Sequence, residues 1–198
     1  IRWVGNEKGI AGDPCWATIH ASLLFPGIDR DTFRARLAAR GMTGWDSPTD
    51  LLNQGDRNGS DWVPAECDVS IRPGWFYHAA EDEKVRTPTN LLDLYFKSVG
   101  RGASLLLNLP PDRRGRIHEN DVRSLLGFRR LLDHLFAHDL SKGARCSASH
   151  VRGGSSRYGA GNVADGNPET YWSTDDEVRT PDLVLEFSAL VVFNVIRL

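Results

Sequence analysis

Three stretches of this sequence carry residue types that could do chemistry. The first is Trp3-Val4-Gly5-Asn6-Glu7, a carboxylate just beyond a short apolar run with a glycine beside it. Barrel enzymes place catalytic groups at the carboxyl ends of parallel strands, and an acid there could donate or accept a proton. An exposed loop glutamate reads the same way. The second stretch, 62–78, gathers Glu66, Asp68, Arg72, Trp62, Trp75, Tyr77 and His78 within 17 residues. Sugar sites need this mix: carboxylates and Arg for hydroxyls, flat aromatic faces for C–H patches. A buried ion pair of Arg72 with Glu66 or Asp68, surrounded by core aromatics, accounts for the same residues. The third, Leu107-Asn108-Leu109-Pro110-Pro111-Asp112-Arg113-Arg114-Gly115, is either a loop closing over a site or a structural turn after a strand.

These groups need elements to position them. Residues 2–5 read as a short buried strand, 61–71 as another, and 74–78 as a second aromatic run. From Pro88 the pattern is helical: Leu91, Leu92, Tyr95 and Val99 share a face, and Gly100 is a stop signal. Ser104–Leu109 is a continuous apolar run, as expected of a parallel strand buried on both faces. Residues 119–138 form the clearest amphipathic helix, with Val122, Leu125, Leu126, Leu132, Leu135 and Phe136 at helical spacing. Strand–helix–strand–helix predicts βα units of a parallel sheet or barrel. About 140 residues is short of the roughly 250 of a complete (β/α)8 barrel. Residues 10–60 are rich in Gly, Pro, Asp and Asn, with a single short helical candidate at Asp31–Ala39. After residue 142 the periodicity vanishes, and short β-type runs at 145–151, 182–187 and 191–198 predict an all-β sandwich.

Composition closes other routes. A formal net charge of -2 argues against a nucleic-acid binder, which needs a basic surface. There is no apolar run of membrane-spanning length. The sequence opens at Ile1 in strand-like residues and closes at Leu198 within a strand pattern, so both ends are expected to be cut points. Cys15, Cys67 and Cys146 lack metal-ribbon spacing and read as free thiols, with a Cys15–Cys67 disulfide as the alternative. No GxSxG, P-loop, HExxH or dinucleotide fingerprint occurs, which removes the main support for serine hydrolase, kinase, zinc protease and Rossmann readings.

Four phrases carry a resemblance: WVGNEKG (3–9), LNQGDRNGSDWVPAECDVSIRPGWFYH (52–78), LLDLYFKSVGRGASLLLNLPPDRRGRIHEND (91–121) and NVADGNPETYWSTDD (162–176). Together they resemble family 29 α-L-fucosidases, in the subgroup acting on branched α-1,3/1,4-fucosides. The resemblance implies residues 1–142 of the carboxyl-terminal part of a (β/α)8-type catalytic barrel and residues 143–198 of a truncated galactose-binding-like, discoidin-type jelly-roll sandwich. It implies a retaining, cofactor-free hydrolysis of terminal fucose through a covalent fucosyl-enzyme. The family nucleophile is an Asp in a Trp-Phe-Asp-Gly type motif; no such motif occurs in this sequence, so the chain alone is expected to be inactive. Glu7 matches the subgroup's acid/base position, and Glu66 is the runner-up. Arg72, Trp75 and Asp68 are the expected pocket residues. Asp165, Asn167 and Thr170 lie in a turn where related sandwiches hold a structural Ca2+. A fucosylated oligosaccharide or glycoconjugate is the implied partner, and an extracellular or periplasmic setting the implied location. The alternative is a non-catalytic carbohydrate-binding protein on a degenerate glycosidase fold.

Overall fold

A computed structural model describes residues 1–196. The chain forms two compact units, Ile1–His134 and Leu135–Leu198. Unit one is built on a parallel sheet in the order β1 (Arg2–Trp3), β4 (Ala65–Ser70), β5 (Ser104–Asn108). Trp3 pairs with Glu66, Glu66 with Ser104, and Ser70 with Asn108. The intervening chain supplies β2 (Thr18–Ile19), α1 (Arg30–Ala38), α2 (Pro48–Gln54) and β3 (Asp61–Trp62), then α3 (Pro88–Ser98) between β4 and β5. The helix α4 (Glu119–Leu135) follows β5.

Side-chain alternation gives the sheet two unlike faces. Ala65, Cys67 and Val69 of β4 are buried, the first two with Val4, Ala11 and Ala103, the third with Ile71, Leu91 and Leu94. Burying each of those leucines contributes about 1.5–3 kcal/mol. The opposite face carries Trp3, Glu66, Asp68 and Leu106. Leu106 is 53% exposed, which corrects the expectation that Ser104–Leu109 is buried on both sides. The residues of that face are largely polar, and at its carboxyl end the chain at Gly74 and Trp75 packs over Ser70 and Asn108. Mixed parallel and antiparallel sheets with several helices make this an α/β fold, with no closed barrel or jelly roll among the described residues.

Residues 10–60 hold more than the single helix expected at Asp31–Ala39. The helix α2 starts at a capping box: the Ser47 side chain accepts from the Asp50 N–H, Asp50 reciprocates, and Pro48 occupies the first turn. The strands β2 and β3 pair antiparallel, Thr18 with Trp62. A third cluster forms beside them from Ile19, Leu23, Phe33, Leu37 and Leu51. Arg2, buried at the start of β1, ties this region down. It donates to the carbonyls of Leu52 (2.9 Å), Val63 and Trp16. Cys15 and Cys67 are free thiols. Burial pushes Cys67 up to about 11.

The stretch after β5 is in part a turn. The Asp112 carboxylate accepts from Arg114 N (2.7 Å), Nε (2.9 Å) and Nη2 (2.6 Å), while Arg114 also reaches Glu119 (2.8 Å). The Arg114 hydrogen bonds hold Asp112 down to about 2, against the opposing effect of burial, where an ordinary Asp sits at about 3.9. A depressed folded-state pKa means the unfolded chain takes up this proton first. Its stabilisation is therefore present above about pH 4 and is lost as pH falls toward about 2. We expect Asp112→Asn to flatten the acid limb of a pH-dependent urea melt in that window. An unchanged limb would show that the Asp112–Arg114 turn contributes nothing to acid stability.

In unit two, β6 (Arg145–Ala148) pairs antiparallel with β7 (Leu183–Glu186), Arg145 opposite Glu186. Between them the chain runs in short 3-10 turns. Arg152 organises this stretch, donating to the Thr174 carbonyl (3.0 Å) and to Asp176. Of the run 191–198, residues 191–196 form no strand, and 197–198 lie outside the described residues.

Candidate active site

Because β1, β4 and β5 are parallel, their carboxyl ends lie at one edge of the sheet, and the chain beyond each end meets there. Glu7 follows β1, Trp75 follows β4, and Asn108 ends β5. Gly5 makes the first of these exits possible. Its φ is +76°, and a Cβ there would stand 2.4 Å from the Thr49 side chain of α2. The chain therefore turns back, and Gly9 N donates to the Asp68 carbonyl (3.1 Å). The exposed Glu7 carboxylate then accepts a hydrogen bond from Trp75 Nε1 at 2.8 Å, across 68 residues of sequence.

A second indole–carboxylate pair lies on the open face of the sheet. Trp3 Nε1 donates to Asp68 Oδ1 at 2.6 Å. Glu66 sits on the same face, half-buried, in register between Trp3 and Ser104. The structure thus joins Glu7 to Trp75 and Trp3 to Asp68, with Glu66 one strand position pair below Asp68.

Arg72 is elsewhere. Its side chain is fully buried, with Nε 3.0 Å from Asp121 Oδ2 and Nη1 2.9 Å from Asp82 Oδ1. Tyr77 stacks on the guanidinium (4.8 Å) and its hydroxyl lies 3.3 Å from Asp82. Burial works against the charge, and the bonds to Asp121 and Asp82 outweigh it, raising the Arg72 pKa. Arg72 therefore offers no surface to a sugar. Its partners are Asp121 and Asp82, and neither Glu66 nor Asp68 takes part.

Asn108 lies in the stretch expected either to close over a site or to turn after a strand, whereas Ser70 was not singled out; its signal was its position as the last residue of β4. Asn108 Nδ2 donates to Ser70 Oγ (3.0 Å) and to the Trp75 carbonyl (3.0 Å).

A cavity of about 540 Å³, lined by His20, Arg40, Trp45, Asp56 and Asn58, lies beside β2 and the turn before β3, away from Glu7 and Trp75. In unit two, both Asp165 oxygens are engaged within their own turn, one by Asn167 N–H (2.8 Å) and one by the Thr170 hydroxyl (2.7 Å). These bonds, the Thr170 one foremost, lower the Asp165 pKa.

Carboxylates and indoles thus gather at the carboxyl ends of parallel strands, where α/β folds carry their reactive groups. Residues 42–134 match the α-L-fucosidase family model. Over its whole length the chain is 38% identical to Alpha-L-fucosidase 1 of Arabidopsis thaliana, of which it covers 35%. A solved family 29 fucosidase of Ruminococcus gnavus, in complex with fucose, is 31% identical with a TM-score of 0.70, over 93% of this chain and 34% of that one. A Bacteroides thetaiotaomicron structure is 38% identical with a TM-score of 0.73, over 96% of this chain and 37% of that one. The chain is thus similar to the α-L-fucosidases of glycoside hydrolase family 29, and spans about a third of the length of the curated relatives it matches. No helix among the described residues is long and apolar enough to cross a membrane.

Proposed function

We propose that this chain supplies the general acid/base of a retaining exo-α-L-fucosidase that removes terminal fucose from branched α-1,3/1,4-linked glycans. The observation that carries this is the Glu7–Trp75 contact at the carboxyl edge of the sheet. On this reading residues 1–142 are the carboxyl-terminal part of the catalytic barrel, and 143–198 begin a galactose-binding-like sandwich. The nucleophilic Asp comes from sequence outside these 198 residues, so the chain by itself is inactive.

Retaining chemistry then runs in two steps. The Asp carboxylate attacks the anomeric carbon while protonated Glu7 gives its proton to the departing glycosidic oxygen. The C–O bond breaks, and fucose is left esterified to the enzyme. Glu7, now a carboxylate, takes a proton from water as that water attacks the same carbon and frees the Asp. Retention requires the two carboxyl groups to lie about 5–5.5 Å apart. An indole N–H on one oxygen of Glu7 fixes the carboxyl plane and stabilises the anion that exists between the steps. Asp68, held by Trp3, is suited to accept fucose hydroxyls, and Trp75 offers its ring face to the sugar's apolar edge. Glu66 is the second choice of acid.

A structural Ca2+ at Asp165, Asn167 and Thr170 belongs to the same proposal. The turn brings one carboxylate, where Ca2+ takes six to eight oxygens, and a melt with and without chelator tests it. The substrate class fits an extracellular or periplasmic setting. The functional test is fucose release from a Lewis-type branched trisaccharide by the complete polypeptide that carries this chain. Release of α-fucose as first product supports the reading. An inert protein that still binds fucose would transfer support to a carbohydrate-binding role.

A further inference from the structure

We infer that Asn108 and Ser70 are positioning residues that set Trp75, and through it Glu7, for proton transfer to the leaving group. This rests on the reading of Glu7 as the acid.

The two residues face each other in register at the ends of β5 and β4. Their polar groups form a closed set. The Ser70 hydroxyl donates to the Gly74 carbonyl (2.7 Å) and accepts from Asn108 Nδ2 (3.0 Å) and the Arg72 backbone N–H (3.3 Å). One hydroxyl proton and two lone pairs are thereby all used. The Asn108 amide has two N–H donors, one for Ser70 and one for the Trp75 carbonyl. Because a carbonyl can only accept, the Trp75 contact fixes which way the amide points. The main chain on both sides of the Gly74–Trp75 bond is therefore pinned by two side chains rooted in the sheet, and Ile71 N bonds the Asn108 carbonyl (3.0 Å) to extend that pinning. Pinned main chain sends the Trp75 indole toward Glu7, which it meets at 2.8 Å. Neither Asn108 nor Ser70 touches Glu7. Their effect on chemistry passes through Trp75 alone, and a misplacement of about 1 Å in such a chain costs roughly a hundredfold in rate.

The test uses leaving-group dependence. A glycoside with a sugar leaving group needs the proton, whereas a 2,4-dinitrophenyl α-fucoside departs without it. The complete protein is assayed as Asn108→Ala and, separately, Ser70→Ala, with Glu7→Gln beside them, and kcat/KM is read because it reports the first step. We expect Asn108→Ala to lose about a hundredfold on the fucosylated trisaccharide and little on the dinitrophenyl substrate, with Ser70→Ala following the same pattern. Both substrates are measured on one preparation, so a partly folded variant leaves the ratio intact. Equal losses on both substrates, or none on either, would overturn the inference. If Glu7→Gln itself loses no more on the trisaccharide than on the dinitrophenyl fucoside, the acid assignment beneath the inference falls as well.

Discussion

Glu7→Gln should lower kcat/KM on a sugar leaving group by about a hundred- to ten-thousandfold, the usual range for loss of a general acid. The substitution keeps the size of the side chain and an acceptor for the Trp75 N–H, so the indole contact survives and only the transferable proton is removed. Glu7 is exposed and holds no part of the core, so the melting temperature should stay within a degree or two of the parent. The combination separates chemistry from folding. A variant as active as the parent places the acid elsewhere, and Glu66, on the polar face of the same sheet, becomes the candidate. A variant that is inactive because it is unfolded would contradict the exposed placement of the side chain.

The largest expected effect on stability is at Arg72. Arg72 and Asp121 are both fully out of solvent and 3.0 Å apart. Arg72 Nη2 and Asp121 Oδ1 find no protein partner, so the pair already carries a desolvation cost. Breaking such a pair from one side leaves a buried charge without compensation, which costs about 3–5 kcal/mol. We expect Arg72→Ala and Asp121→Ala each to destabilise unit one by about that amount in urea melts. The double variant should fall well short of the sum, because it removes both charges together. Arg72→Lys should recover little, since an ammonium cannot fork between Asp121 and Asp82 as the guanidinium does. Additive single and double effects would mean that the two residues do not act as a pair.

Residue periodicity made much of this architecture legible. The helices at Pro88–Ser98 and Glu119–Leu135 stand where the apolar spacing put them, and the strands at 65–70 and 104–108 lie within the expected runs. The short helix Pro48–Gln54 escaped because seven residues show too little periodicity, although Ser47-Pro48-Thr49-Asp50 spells its cap. Long-range partners escaped for a different reason. Arg72 could have met any nearby acid, and its proximity in sequence to Glu66 and Asp68 suggested those. The fold instead brings Asp121 to it across 49 residues. Glu66 and Asp68 stand within β4, whereas Arg72 lies beyond its end, where the chain has left the strand. The Glu7–Trp75 contact was implied only indirectly, by the rule that parallel strands gather their carboxyl ends. Leu106 misled for want of context: an apolar residue facing an open polar surface reads in sequence like any core residue.

If Glu7 performs both proton transfers of a retaining mechanism, azide rescue will reveal it. Glu7→Ala in the complete polypeptide is given a dinitrophenyl α-fucoside with and without sodium azide, and the product is read by proton NMR. Without its base the fucosyl-enzyme hydrolyses slowly, whereas azide needs no deprotonation and attacks from the face that water would have used. We expect faster turnover with azide and an α-fucosyl azide, of retained configuration. A β-fucosyl azide would identify the altered residue as the nucleophile, and the absence of any azide product would remove Glu7 from the reaction.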